Sequence, residues 1–75
     1  MTRRTTPADQ HISARLRELR RAAGLSQTDV AERLGITFQQ VQKYENGSNR
    51  ISAGRLFLVA TILDVPIGAF YEGLR

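Results

Sequence analysis

The twenty residues Gln27 to Asn46, QTDVAERLGITFQQVQKYEN, decide how this chain folds. Just before them, Leu25-Ser26-x-x-Asp29-Val30 carries a start signal. The serine hydroxyl can accept an N–H of a first helical turn, and the acid three residues on can reach back to the cap's own N–H. Apolar residues flank both. Ile36-Thr37-x-x-Gln40-Val41 repeats the arrangement, with Gln40 as capping partner of Thr37. Gly35 lies between them, where a left-handed turn can end one helix before the next begins. The pattern predicts helices over Gln27–Leu34 and Phe38–Glu45, the second ending at Asn46-Gly47.

The same logic extends in both directions. Ile51-Ser52-x-x-Arg55-Leu56 keeps the cap and the apolar flanks but places arginine near the positive end of the helix dipole, which is mildly unfavourable. It predicts a helix over about Ala53 to Leu63, in which the β-branched run Leu58 to Ile62 has no partner strand. Upstream, Thr6-Pro7-Ala8-Asp9 offers a cap, a proline suited to the first turn and an acid, and Ile12, Leu16, Leu19 and Ala23 follow at helical spacing. That helix runs from about Pro7 to Ala23, and Gly24 stops it. A short fifth helix is expected from Pro66 to Tyr71. The chain reads as all-α, a compact five-helix domain over residues 7–75, preceded by a flexible basic arm over residues 1–6.

Seventy-five residues make one small domain, of a size that buries only roughly 60% of its unfolded surface. Cysteine is absent, which removes disulfides and thiolate metal sites and fits a reducing compartment, so a cytoplasmic location is expected. No apolar run approaches the ~20 residues of a membrane span, and MTRRTTPADQ lacks a secretory hydrophobic segment. His11 has no companions for metal binding, and surface or phosphate contact is its expected use. There is no glycine-rich phosphate loop, and no acid pair is spaced for general acid–base work. Neither an enzyme nor a cofactor-binding protein is expected.

The charge is informative once located. The net +4 sits within residues 1 to 21, where Arg3, Arg4, Arg15, Arg17, Arg20 and Arg21 face only Asp9 and Glu18. Such asymmetry suits contact with nucleic-acid phosphates, where neutralisation releases counterions. A solvated face that aids solubility is the competing explanation. Arg15 and Arg17 are the phosphate-contact candidates from this segment.

Sequence-reading chemistry belongs to the second helix of the quoted stretch. At 100° per residue, with Phe38 at the origin, Gln42 falls at about 40°, Asn46 at about 80°, Gln39 at about 100° and Lys43 at about 140°. These share one outward arc, while Val41, Tyr44, Gln40 and Thr37 lie opposite and Tyr44 reads as core. Glutamine can pair with adenine N6 and N7, lysine can donate to guanine O6 or N7, and phenylalanine can pack on a thymine methyl. Phe38, Gln39, Gln42 and Lys43 are therefore base-contact candidates, and Asn46 at the far end is assigned a phosphate. From composition alone the glutamines would be ordinary solvated side chains, and Phe38 could fold back on the turn.

Taken in order, these features resemble the helix-turn-helix family of the phage Cro and cI repressors: Ser26-Gln27 opening one helix, small Ala31 at the crossing, Gly35 in the turn, Val41 and Tyr44 inward, then Glu45-Asn46-Gly47. The run TFQQVQKYENGSNRI, Thr37 to Ile51, is similar to that of short alphaproteobacterial regulators. The resemblance covers about Pro7 to Tyr71 and implies a lambda-repressor-like fold with the helix-turn-helix at helices two and three. It implies double-stranded DNA as partner, with the N-terminal part of helix three in the major groove. Gln27 and Thr37 match positions that usually hold phosphate, and Arg50 follows them.

Dimers in this family commonly form around the fifth helix. Leu58 and Ile62, left on the far side of an almost wholly apolar fourth helix, join Ile67, Phe70, Tyr71 and Leu74 as the expected homodimer interface. A sequence-specific transcriptional regulator, a repressor, follows from the resemblance, with no small-molecule effector expected. An antitoxin-like protein-interaction module using the apolar surface of helices four and five is the alternative. Phe38 departs from the phage pattern, where glutamine often stands and bonds the glutamine that opens helix two. The docking mode can be carried over, and the operators cannot.

Overall fold

In the computed structural model, which describes residues 6–74, Thr6 turns the chain into α1 (Pro7–Ala22) through a complete capping box. Its hydroxyl accepts the Asp9 N–H at 3.1 Å, and the Asp9 carboxylate accepts the Thr6 N–H at 2.8 Å. The bond from the Thr6 backbone, then the one from its side chain, hold the Asp9 carboxyl below its ordinary pKa. Thr6 thus belongs to the helix, and the remainder of the predicted arm, residues 1–5, lies outside the described residues. The helix ends one residue short of expectation, with Ala23 as its cap.

The next two helices follow the start signals. Ser26 and Asp29 form a second complete box at the head of α2 (Gln27–Leu34). Thr37 caps α3 (Phe38–Glu45) by accepting the Gln40 N–H at 3.2 Å, and only this half of the expected reciprocal pair forms. Gly35 has φ +73, in the region where an L side chain costs about 1–2 kcal/mol, and from there the Ile36 N–H returns to the Ala31 carbonyl. Asn46 stays at φ −91, so the left-handed residue after α3 is Gly47, at φ +81. A Cβ at Gly47 would lie 2.6 Å from Oε1 of Gln10, so the end of that side chain would have to shift to admit one.

Ser52 opens α4 (Ala53–Leu63) by accepting the Arg55 N–H at 3.1 Å. Arg55, electrostatically misplaced at the head of a helix, sends Nη1 to the Tyr44 hydroxyl at 3.4 Å and so ties α4 to α3. Asp64 ends α4 in a left-handed conformation, at φ 58. The expected fifth helix is a tighter 3-10 helix, Ile67–Tyr71. Pro66 is its extended cap rather than its first residue, and its carbonyl accepts the Ala69 N–H three residues on. A segment of about one turn takes such i to i+3 bonds readily. Among the described residues there is no strand. No helix among them is long and apolar enough to cross a membrane.

The core joins all five elements: Leu16 of α1, Val30 and Ala31 of α2, Val41 of α3, Leu56, Val59, Ala60 and Leu63 of α4, and Phe70 of the 3-10 helix. Each large apolar side chain buried there is worth roughly 1.5–3 kcal/mol. Phe70 corrects the sequence expectation. It is 0% exposed, and so cannot lie in an interface with a second copy. A 3-10 helix this short is held by a large apolar side chain turned inward, since its own backbone bonds are few.

Candidate nucleic-acid interface

The arc read from the helical wheel is the exposed side of α3. Phe38, Gln39, Gln42 and Lys43 are all exposed, Val41 is fully buried and Tyr44 half-buried. Phe38 is 44% exposed, whereas Ile36 and Tyr44 on either side of it are partly buried against the core. It is not a core residue.

What fixes the pitch of α3 is a charge cluster at its C-terminal end. Glu45 is buried, its side chain 0% exposed, and its oxygens accept Nε of Arg20 at 2.6 Å and Nη2 at 3.1 Å. Arg20, also buried, gives Nη1 to the Leu25 carbonyl at 2.8 Å, so one guanidinium spans α1, α3 and the approach to α2. Gln27 donates Nε2 to Glu45 at 3.0 Å, and Nε of Arg17 lies 3.6 Å from the same carboxylate. Burial alone would raise the Glu45 pKa. The bonds from Arg20 and Gln27, with the charges of Arg20 and Arg17, outweigh it and hold the carboxyl below its ordinary range.

This cluster redistributes the residues assigned to phosphates. Gln27 has its amide bound to Glu45, half-buried, which replaces the glutamine partner that Phe38 displaced. Arg15 faces the other way: Nε donates to the Ala69 carbonyl at 2.9 Å, Nη1 to Glu18 and Nη2 to Glu72, clamping the 3-10 helix onto α1. His11 joins the clamp, its Nε2 lying 2.6 Å from the Glu72 carbonyl, an acceptor to which the ring must donate. Arg15 is therefore corrected from a phosphate contact to a tertiary one. Arg17 keeps a half-exposed side chain on the α3 side.

Thr37 is exposed, and its hydroxyl accepts the Gln40 N–H while keeping its own proton to donate. Asn46 is exposed, with Oδ1 accepting the Ser48 N–H at 2.9 Å. Arg50 is exposed and pairs with Asp9 at 3.4 Å. At the head of α2 the Asp29 carboxylate already occupies the end of the helix. The bond from the Ser26 backbone, then that from its side chain, lowers the Asp29 pKa. A phosphate approaching there meets an anion in place.

The second exposed surface is apolar. Leu58 is 51% exposed, and Ile67 and Tyr71 are exposed beside the half-buried Leu74. Ile62 is half-buried and packs on the core, so only part of it is exposed. Phe57, 63% exposed, is a further exposed apolar side chain of α4 that the sequence reading left out. The signal was present: it stands about 100° from Leu58 on a helix apolar almost all round, opposite the buried side of α4.

Comparison with known proteins agrees with this geometry. The helix-turn-helix family model matches residues 16–70. A transcriptional regulator of Sinorhizobium medicae is 47% identical over 70 residues, covering 93% of this chain and 50% of its own length. One from the ATPase CF(0) region of Rhodospirillum rubrum is 48% identical over 74 residues, covering 99% of this chain and 68% of its own. This chain therefore spans about half the length of several curated relatives it matches. Among solved structures, the restriction-modification controller protein C.AhdI of Aeromonas hydrophila superposes with a TM-score of 0.75 at 34% identity, over 81% of this chain and 92% of that one. The clp gene regulator ClgR of Corynebacterium glutamicum shares the fold, with a TM-score of 0.84 at 19% identity over 89% of this chain and 71% of that one. With its turn at Gly35, its two capped helices and a family match across the whole core, the chain belongs to the helix-turn-helix family.

Proposed function

We propose that this chain is the DNA-reading domain of a transcriptional regulator, that it enters the major groove with α3, and that it acts as a repressor in dimeric form. The observation that carries the reading is the division of α3 into two sides. Phe38, Gln39, Gln42 and Lys43 stand exposed together, while buried Val41 and Glu45 lock the helix against α1 and α2. Base discrimination needs a few exposed side chains on a firmly seated helix, which supports this reading. Arg17, Thr37, Asn46 and Arg50, all exposed or half-exposed, serve as phosphate contacts in this reading, and Gln27 serves the register of α3 through Glu45. The chemistry is binding alone, without catalysis or a cofactor.

Dimerisation is supported by Phe57, Leu58, Ile67 and Tyr71, whose exposed apolar area gains from burial against a second copy. A two-fold dimer sets recognition helices about 34 Å apart on successive major grooves. The same exposed patch favours a second reading, an antitoxin-like module that binds another protein and for which DNA is secondary. Selection of bound sequences from a random duplex library separates the two. A palindromic motif with half-site centres about one helical turn apart supports the regulator reading. Binding without sequence preference, by a chain monomeric at all concentrations, refutes it.

A further inference from the structure

We infer that Phe38 makes this surface a detector of the pyrimidine 5-methyl group, so that the selected site carries thymine at one step of each half-site and accepts 5-methylcytosine there. The inference rests on the DNA-binding reading above and deepens it.

Phe38 is the one apolar member of the exposed arc, beside Gln39, Gln42 and Lys43. The helix keeps it at the surface. As the first residue of α3 it follows directly on the Thr37 cap, and Val41, one turn later, is fully buried, so the backbone cannot roll to hide the ring. Phe38 is 44% exposed, whereas the neighbouring Ile36 and Tyr44 are partly buried against the core.

The two glutamines and the lysine read hydrogen-bonding groups, and a phenyl ring has none to offer. Across the major-groove edges of the four bases, the one apolar feature is the thymine C5-methyl group. Beside unmethylated cytosine the ring would meet a bare C5–H and stand over an N4 amine it cannot satisfy. 5-Methylcytosine carries the same methyl at the same ring position and restores the apolar contact. The glutamines and lysine thus select purines by their acceptors and donors, and Phe38 separates methylated from bare pyrimidines. Burying one methyl corresponds to about fourfold in affinity per half-site, compounding to about fifteenfold over two.

The test uses the full chain and the duplex obtained by selection. Each thymine is replaced in turn by uracil, which removes only the methyl. At the step that responds, the pair is changed to C·G with and without cytosine C5 methylation. Affinity is measured for the wild type, Phe38→Ala and Phe38→Leu, with circular dichroism verifying the fold of each variant. The expected result is one responsive thymine per half-site, a loss of about fourfold each on uracil substitution, and recovery on methylating the cytosine. Phe38→Leu should keep the methyl dependence and Phe38→Ala should abolish it. Uniform indifference to uracil on a site that is still bound selectively overturns the inference while sparing the DNA-binding reading. Methyl dependence that survives Phe38→Ala overturns it equally, and failure to select any sequence overturns both.

Discussion

Removing Glu45 should damage this domain more than removing Arg20, although the two form a single ion pair. In Glu45→Leu the buried Arg20 guanidinium keeps only its Nη1 bond to the Leu25 carbonyl and loses both charge-assisted bonds to the carboxylate. In Arg20→Met the Glu45 carboxylate still has Nε2 of Gln27 at 3.0 Å and Nε of Arg17 at 3.6 Å. Leaving a buried charge without its partner costs about 3–5 kcal/mol, and Glu45→Leu should fall at the upper end of that range. A domain of this size has a total stability of about 4–11 kcal/mol, so that variant sits close to unfolding. The double variant Arg20→Met/Glu45→Leu replaces the pair by apolar groups and should recover most of the loss, because neither charge then remains to be desolvated.

The pH dependence follows with a definite sign. In the wild type the folded-state pKa of Glu45 is lowered, so its contribution is present above the ordinary carboxylate range and is lost as pH falls through the lower folded value. In Arg20→Met the largest favourable partners are gone while burial still opposes the charge, so the folded pKa rises. The stability gap between wild type and Arg20→Met should therefore narrow as the pH is lowered into and below the ordinary carboxylate range, through the lowered folded value. Urea unfolding followed by far-ultraviolet circular dichroism at each pH measures this directly. A gap that stays constant or widens, or a double variant no better than the worse single one, would refute the reasoning.

Other outcomes are equally open to measurement. Gln39→Ala should cost about 1–3 kcal/mol on the selected site and relax preference at one base pair, and equal losses on random DNA would remove it from the reading face. Arg17→Ala should weaken all duplexes alike and flatten the salt dependence, whereas Arg15→Ala should leave the salt slope unchanged and lower the melting temperature, because its guanidinium serves Ala69 and Glu72. Leu58→Asp should shift the sedimentation equilibrium towards monomer with the fold intact, while Phe70→Ala should cost about 3–5 kcal/mol and unfold much of the population at 37 °C.

The helix starts were legible because capping is local. Ser26 with Asp29, Thr37 and Ser52 each act within one turn of themselves, and α2, α3 and α4 begin where these residues place them. The exposed arc of α3 was legible for the same reason, since a rigid 3.6-residue repeat settles which side chains share a face once Val41 is assigned to the core. Tertiary structure alone decided what lies between elements distant in sequence. Nothing near Arg20 or Glu45 in the chain marks them as a buried pair, because their meeting depends on how α1 crosses α3 across a separation of 25 residues. Long-range packing likewise took Arg15 from the DNA side to the 3-10 helix, drew Phe70 from a supposed interface into the core and left Phe57 in solvent. Local rules choose the face of a helix, and only the assembled fold chooses what that face meets.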